Sequence, residues 1–471
     1  MHQISKIFNE SKDISEGESM EQQILIGLVI GIICLIFMIM KTKIHTFLAL
    51  MIATILVGLI GGVEYSKIME SITKGFGGTL GSIGIIIGFG VMMGQLFEAS
   101  GAAKKMALSF LKLFGKGREE LAMAITGFLV SIPIFCDSGF IILTPLMKAI
   151  SKETRKSIVS LGLALASGLV ITHSLVPPTP GPVGVAGIFG VSVSSIILWG
   201  IVVAVPMVIA SLAFAKFAGN KIWQIPTEDG GWTRDQNYTC QAQGEKILEE
   251  DRLPSAFLAF SPIVVPILLI LLGTISKAML LTGKIIDFIQ FIGTPVLAVG
   301  IGLMITIYGL AKNMDRTSMM EEVETGIKSA GTIILITGAG GAFGMLIRDS
   351  GVGDIIANTL VKTSLPAILL PFMIATLVRF VQGSGTVAMI TAASITAPII
   401  AKLDVNPVFA ALAACTGSLF FSYFNDSFFW VINRSIGITE GKEQLRLYSI
   451  ASTVAWAVGI VVLLIINMIF G

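Results

Sequence analysis

Three ionisable side chains, Asp137, His173 and Asp426, stand inside otherwise apolar runs. A charge at the centre of a bilayer costs roughly 2.5–3.5 kcal/mol on insertion scales, so each needs a cavity, a partner or protonation. Burial favours the uncharged form of a carboxylate or an imidazole, which makes all three candidates for carrying a coupling proton. Two of the surrounding stretches interrupt the helix pattern. Ile132–Phe140 reads Ile-Pro-Ile-Phe-Cys-Asp-Ser-Gly-Phe, and Phe380–Thr386 reads Phe-Val-Gln-Gly-Ser-Gly-Thr. Pro133 and the glycines disfavour a continuous helix. Non-helical backbone at membrane depth is tolerated only where it is buried in protein or lines a watery cavity. A segment that enters and turns back exposes free N–H groups at helix N-termini, and a carboxylate can accept them. Asp137, Ser138 and Gly139 with Gln382, Gly383, Ser384, Gly385 and Thr386 therefore form a candidate anion site. The plainer alternative is a pair of Pro/Gly kinks satisfied by neighbouring helices.

A second constellation follows each break. Thr172-His173-Ser174-Leu175-Val176-Pro177-Pro178-Thr179-Pro180-Gly181-Pro182 places four prolines in six residues, and Ser422–Trp430 is its counterpart. Thr172 and Asn425 are suited to hydrogen-bonding substrate hydroxyls. His173 also fits a helix-end residue bonded to backbone, and Asp426 a helix cap. No metal-ligand cluster, phosphate loop or nucleophile motif occurs, so neither an enzyme nor a cofactor is expected. Gly351-Val352-Gly353-Asp354 resembles the motif of intramembrane aspartyl proteases, but Asp354 falls in a connector and no Tyr-Asp partner exists.

The elements that must hold these residues are membrane helices. Of 471 residues 54% are apolar and 13% charged, against about a quarter charged in soluble domains. Apolar runs at Ile24–Met40, Ile44–Val63, Leu80–Phe97, Ile158–Val176, Ser194–Phe214, Ala256–Leu272, Val296–Leu310, Ile327–Ile347, Pro366–Val381, Val408–Phe424 and Ala451–Phe470 predict roughly 10–14 transmembrane helices. Gly27/Gly31, Gly84/Gly88, Gly90/Gly94 and Gly340/Gly344 have the spacing of close helix packing. A net charge of +2 without basic blocks gives no sign of nucleic acid. Cys34, Cys136 and Cys415 read as apolar fillers and Cys240 as a loop thiol, with no disulfide frame. Residues 1–23 form a polar tail unlike a signal peptide, and Met20 offers an alternative start.

One long hydrophilic stretch, residues 220–254, divides the chain into halves at 24–219 and 255–471. Glu98-Ala99-Ser100-Gly101 pairs with Arg348-Asp349-Ser350-Gly351, and Cys136-Asp137-Ser138-Gly139 with Gln382-Gly383-Ser384-Gly385, at nearly constant separation. Lysines and arginines at 41–43, 104–118 and 148–156 mark cytoplasmic connectors, with the N-terminus outside and the central loop cytoplasmic. The equivalent connectors of the second half are poor in basic residues, as expected of an inverted repeat. The expected fold is an all-α integral membrane protein of two inverted repeats, each with a re-entrant or broken hairpin, acting as a secondary transporter of a small organic acid.

These residues carry a resemblance to the gluconate permease family of proton symporters. The Thr-His…Pro-Pro-x-Pro-Gly-Pro element matches at Thr172, His173, Pro177, Pro178, Pro180, Gly181 and Pro182. The Gly-Ser-x-Thr-Val-Ala element matches at Gly383, Ser384, Thr386, Val387 and Ala388, and the Ser-x-x-Asn-Asp-x-x-Phe-Trp element at Ser422, Asn425, Asp426, Phe429 and Trp430. The acidic-x-Gly-Phe hairpin matches at Asp137, Gly139 and Phe140. The resemblance implies proton-coupled import of gluconate or a related sugar or hydroxy acid across the bacterial inner membrane. By analogy with the wider ion transporter superfamily it implies an elevator-type homodimer. Scaffold parts would be 24–75 and 255–312, transport parts 79–200 and 327–447, with a final helix at 448–471. Thr179 and Tyr423 stand where the family often has histidine, Ser427-Phe428 is bulkier than expected, and Gly385 replaces a common alanine. These departures point to a reshaped site, with glycerate or D-serine as alternative cargo and a sodium-coupled di- or tricarboxylate carrier as the alternative class.

Overall fold

The computed structural model describes residues 23–35, 37–38, 42, 44–227, 231–236, 238, 253–279, 281–351, 366–423 and 426–471. In the first half, helices α1 (Gln23–Leu35) and α2 (Thr46–Ile60) pack together where Gly27 and Gly31 lie against Gly61 and Val57. The long helix α3 (Tyr65–Ala99) follows, then α4 (Ala102–Phe114) and α5 (Glu119–Val130). The chain breaks at 131–135 and resumes as α6 (Cys136–Thr154) and α7 (Ile158–Leu175). A second break at 176–179, which includes a cis Pro177–Pro178 bond, leads to α8 (Pro180–Phe189) and α9 (Val193–Lys221).

The second half follows a similar order among the described residues, with three helices rather than two before its long helix. Helices α10 (Ala256–Ala278), α11 (Lys284–Ile292) and α12 (Pro295–Ile305) precede the long α13 (Arg316–Asp349). Then come α14 (Leu369–Gln382), a break at Gly383-Ser384, α15 (Gly385–Ile400) and α16 (Pro407–Gly417). After a break at 418–426 follow α17 (Ser427–Ser435), α18 (Gly441–Gln444), a π-turn and α19 (Ile450–Phe470). Helices α3 and α13 lie side by side and antiparallel. Ser71 on α3 donates to Asp349 near the end of α13 at 2.7 Å, and Gln95 near the end of α3 donates to Glu322 near the start of α13 at 3.0 Å.

Among the described residues five helices are long and apolar enough to cross a bilayer, or six if the bent α3 counts as one span. This is fewer than the apolar runs suggest, because several runs are split. The Pro366–Val381 run contributes only to a 14-residue α14, and Val408–Phe424 is helical only to Gly417. The 12 residues of α5 and the 14 of α14 rise about 18 and 21 Å at 1.5 Å each, well short of a hydrocarbon core of about 30 Å. Both limbs end at a break.

Helix α7 is buried along nearly its whole length because Gly168 and Gly127 let it approach α5 backbone to backbone. The expected glycine packing is only partly realised. Gly340 and Gly344 meet Ser394 of α15, and Gly90 and Gly94 meet the carbonyls of Pro178 and Pro133 at the two breaks. Gly84 and Gly88 face nothing within 4 Å among the described residues. Spacing alone does not say what stands opposite a stripe. Between Gly81 and Gly84, α3 bends by 46°.

The start of the central stretch is structured rather than a free loop. Ile225–Pro226 and Trp232–Thr233 pair as a two-strand antiparallel ribbon, a departure from an all-helical chain. Arg155, at the end of α6, donates to the carbonyls of Gln236 and Tyr238, while Arg234 pairs with Glu443 of α18 at 2.6 Å. Gln224 donates to the Ile436 carbonyl at 2.8 Å. The linker thus docks on both halves.

Candidate functional site

Three helix N-termini created by the breaks meet on one cavity of about 340 Å³. They are the starts of α6 (Cys136, Asp137), α15 (Ser384, Gly385, Thr386) and α17 (Asp426, Phe428). The last turns of α7 (Val170, His173, Ser174) and α14 (Arg379), with Ser418 and Leu419 beyond α16, complete the wall. Gly383 takes a left-handed φ of 89° at the turn from α14 into α15, a conformation that glycine adopts without steric cost. Ser384 then caps α15 by accepting from the Val387 N–H at 3.4 Å.

Of the residues singled out in the sequence, Asp137, His173, Gly383, Ser384, Gly385, Thr386 and Asp426 line this cavity. Ser138 does not, because its hydroxyl bonds to Glu98 of α3. Gly139 is a packing position, where an added Cβ would meet Leu169 at 2.8 Å. Thr172 is fully buried behind His173. The Gln382 side chain and the whole of Asn425 lie outside the described residues. Two of the positions that depart from the family pattern hold the breaks together. Thr179 donates to the carbonyls of His173 and Val176, and the Tyr423 hydroxyl donates to the Phe380 carbonyl at 2.6 Å.

Sequence reasoning missed Arg379. Its side chain is 5% exposed, and Nη2 reaches Asp426 Oδ2 at 2.6 Å and Ser422 Oγ at 2.9 Å. Nη1 donates to the Gly383 carbonyl, and Ser422 donates to Asp426. Asp426 also accepts from the Phe428 N–H at 3.1 Å, so its carboxylate occupies the N-terminus of α17. The overlooked signal was a lone arginine near the end of an apolar run, where a charge demands a reason. Three buried polar atoms around the cavity have no hydrogen-bond partner among the described residues: Arg379 Nε, Thr172 Oγ1 and His173 Nδ1. Unsatisfied buried groups are costly, about 1–3 kcal/mol each, so a polar ligand or ordered water there would relieve them. Arg379, the hydroxyls of Ser384 and Thr386 and the three helix N-termini offer donors to an anion, and the carboxyls of Asp137 and Asp426 border the same cavity.

Broken helices around a polar cavity, in a bundle with several helices long and apolar enough to span a bilayer, have the form expected of a multi-pass membrane carrier. The same class emerges from comparison with known proteins. The profile described as GntP family permease matches residues 23–469, and the chain belongs to that family. It is 46% identical over 458 residues to an uncharacterized permease of Haemophilus influenzae, covering 95% of this chain and 93% of that one. It is 33% identical to the gluconate permease of Pseudomonas aeruginosa, covering 96% and 99% respectively. The YdaH transporter of Alcanivorax borkumensis shares the fold, with a TM-score of 0.62 at 14% identity over 86% of this chain and 90% of that one.

Proposed function

We propose that this chain imports a short sugar or hydroxy acid, of which gluconate is the type, together with protons. The observation that carries the reading is the meeting of three break-derived N-termini and Arg379 on one cavity. A volume of about 340 Å³ falls at the small end of ligand sites, about 300–1,000 Å³, and suits a compact polar acid. The substrate carboxylate lies between the N-termini of α6 and α15, held by backbone N–H groups with Ser384 and Thr386. Gln382 and Asn425 are left for its hydroxyls. The coupling proton rides on the acids of the cavity, Asp137 and Asp426, with His173 beside them.

The repeated order of long helix, broken hairpin, broken helix and closing helix supports two inverted repeats, as does the antiparallel pairing of α3 and α13. In this reading 79–200 and 327–447 move as one body against a dimeric scaffold of 24–75 and 255–312. The membrane is the bacterial inner membrane, the N-terminus lies outside, and the loop at 220–254 faces the cytoplasm. Proteoliposome uptake tests the proposal. An imposed proton gradient should drive accumulation of gluconate, idonate, glycerate or a related acid. Ser384→Ala should weaken its affinity roughly ten- to a hundredfold, the loss of one hydrogen bond to a charged group at about 1.5–3 kcal/mol. Accumulation that follows sodium and ignores pH would replace the proton reading with the sodium-coupled one.

A further inference from the structure

We infer that Arg379 is the anion receptor of the cavity and that Asp426 holds it in the empty site, so that a proton on Asp426 exchanges Arg379 to the substrate carboxylate. The inference rests on the proposed anion site and adds to it the device that links anion to proton. Arg379 is nine-tenths buried and lines the cavity, yet its charge is met by an internal carboxylate, Asp426 Oδ2 at 2.6 Å. The pair is not sealed away in packing. Both members face the same cavity, and Arg379 Nε stays buried without an acceptor among the described residues. The guanidinium fork presents five donors, of which a carboxylate can take two in parallel. One edge serves Asp426, Ser422 and the Gly383 carbonyl, leaving Nε as an unused donor.

The groups facing Asp426 are Arg379 from α14, Cys136 and Asp137 from the start of α6, His173 from α7, and Tyr448 from the π-turn between α18 and α19. Only Arg379 and His173 among them can bring positive charge. An arriving carboxylate must compete with Asp426 for Arg379 while two carboxylates already border the cavity. Displacing an ionised Asp426 would leave a buried charge without its partner, which is strongly destabilising. Protonation removes that obstacle. A proton from the open side adds to the carboxylate of Asp426, whose bond to Nη2 then weakens, and the freed Nη2 donates to the substrate oxygen. No covalent bond to carbon forms or breaks. On the other side the anion leaves, Asp426 gives its proton to water, and the ion pair closes again. Two features of the empty site favour a stable resting pair, namely Ser422 donating to Asp426 and the Phe428 N–H capping it.

The test is made on the full-length protein in detergent and in proteoliposomes, with gluconate and the related acids as probes. Adding the transported acid to the parent protein in weakly buffered solution should take up protons, about one per anion bound through Asp426. Affinity should fall about tenfold per pH unit once Asp426 ionises. In Asp426→Asn that component of the pH dependence should vanish, and proton-driven accumulation should fail. Asp426→Glu keeps a titratable acid and should restore proton-linked binding with a displaced pH profile, which guards against a variant that merely misfolds. Arg379→Gln should lower affinity at least a hundredfold. Anion binding by the parent protein without proton uptake, or undiminished proton-driven accumulation by Asp426→Asn, overturns the exchange. If Ser384→Ala still weakens binding in that case, the anion site stands without it. If neither Ser384→Ala nor Arg379→Gln changes affinity, the anion site itself is wrong.

Discussion

A methyl group at position 94 tests whether the placement of the first break governs transport. Cβ built on Gly94 of α3 lies 1.9 Å from the Pro133 carbonyl oxygen and 3.0 Å from its carbon. Carbon–oxygen contacts settle near 3.3 Å, so the break must retreat by about 1.4 Å. It cannot yield one atom at a time. Ser131 N donates to Gly127, Ile132 N to Leu129 and Ile134 N to Val130, and the Ser131 hydroxyl reaches the Ile134 carbonyl at 3.2 Å. The displacement therefore passes to the first turn of α6, which presents Cys136 and Asp137 to the cavity. Two energies oppose each other in the fold. Alanine gains about 0.8–1 kcal/mol over glycine inside a helix, and overpacking costs about 1–3 kcal/mol. The net loss of stability is modest, roughly 0–2 kcal/mol. Function should suffer more, because a helix N-terminus in a partly buried site holds an anion by up to about 2 kcal/mol, roughly thirtyfold in affinity. Gly77→Ala is the matched control, since nothing among the described residues lies within 4 Å of its Cβ. It should keep full transport with an unchanged or raised Tm. The assays are thermal unfolding and substrate affinity of both variants. A Gly94→Ala protein with the parent's affinity and the Tm of Gly77→Ala would refute the reasoning.

Other perturbations read the supporting structure. Lys156→Met strips the partner from Glu120, whose side chain is 5% exposed and lies 3.1 Å from Nζ. It should cost towards the lower end of about 3–5 kcal/mol, because Lys156 itself is partly solvated. Adding Glu120→Gln should recover much of that in chemical unfolding. Gly168→Ala would place Cβ 2.2 Å from the Ala124 carbonyl oxygen, forcing α5 and α7 apart. A loss of about 1–3 kcal/mol is expected in thermal unfolding. Gly437→Ala combines a left-handed φ of 75° with a Cβ 2.2 Å from the Trp232 ring. It should undock the central ribbon, seen as faster proteolysis of the linker and a red-shifted tryptophan emission.

Three of the four breaks were legible because each carries a local cause: Pro133, the prolines from 177 to 182, and Gly383 with its left-handed φ. The fourth, at 418–426, has neither proline nor glycine and was hidden in the apolar run Val408–Phe424. The family motifs were legible for the same reason, since they are the residues that make the turns. What escaped depends on residues distant in sequence. Arg379 alone scarcely lowers the hydropathy of its run, and its partner Asp426 is 47 positions away. Ser138 looked like part of the site because it adjoins Asp137. One helical step, however, turns the next side chain by about 100°, and here that points it at Glu98. The two-residue strands at 225–226 and 232–233 are too short for any alternation to register.

Under the proposed repeat, corresponding positions of the two halves differ in charge, and the difference bears on coupling. Counting back six residues from the start of the limb after each hairpin break gives Arg379 before Gly385 and Val130 before Cys136. The cap before the helix after each second break is Asp426 in one half and Thr179 in the other. The buried pair therefore belongs to the second half alone, while the first half brings Asp137 and His173. With both carboxylates ionised, an entering anion would make three negative charges against one guanidinium. Two like charges about 4 Å apart repel by about 4 kcal/mol at an effective dielectric of 20, close to a thousandfold in affinity. Proton uptake removes that penalty only while the anion is present, which is the requirement for symport. Placing a second arginine on the cavity wall should break the requirement. Val170 lines the cavity from α7, and Val170→Arg would supply a cation that no carboxylate needs to release. If the proposed coupling is right, the variant should bind the acid with a flattened pH profile and accumulate less of it under a proton gradient. A variant that folds, binds with the parent's pH profile and accumulates equally well would show that charge balance in the cavity is not what ties the proton to its cargo.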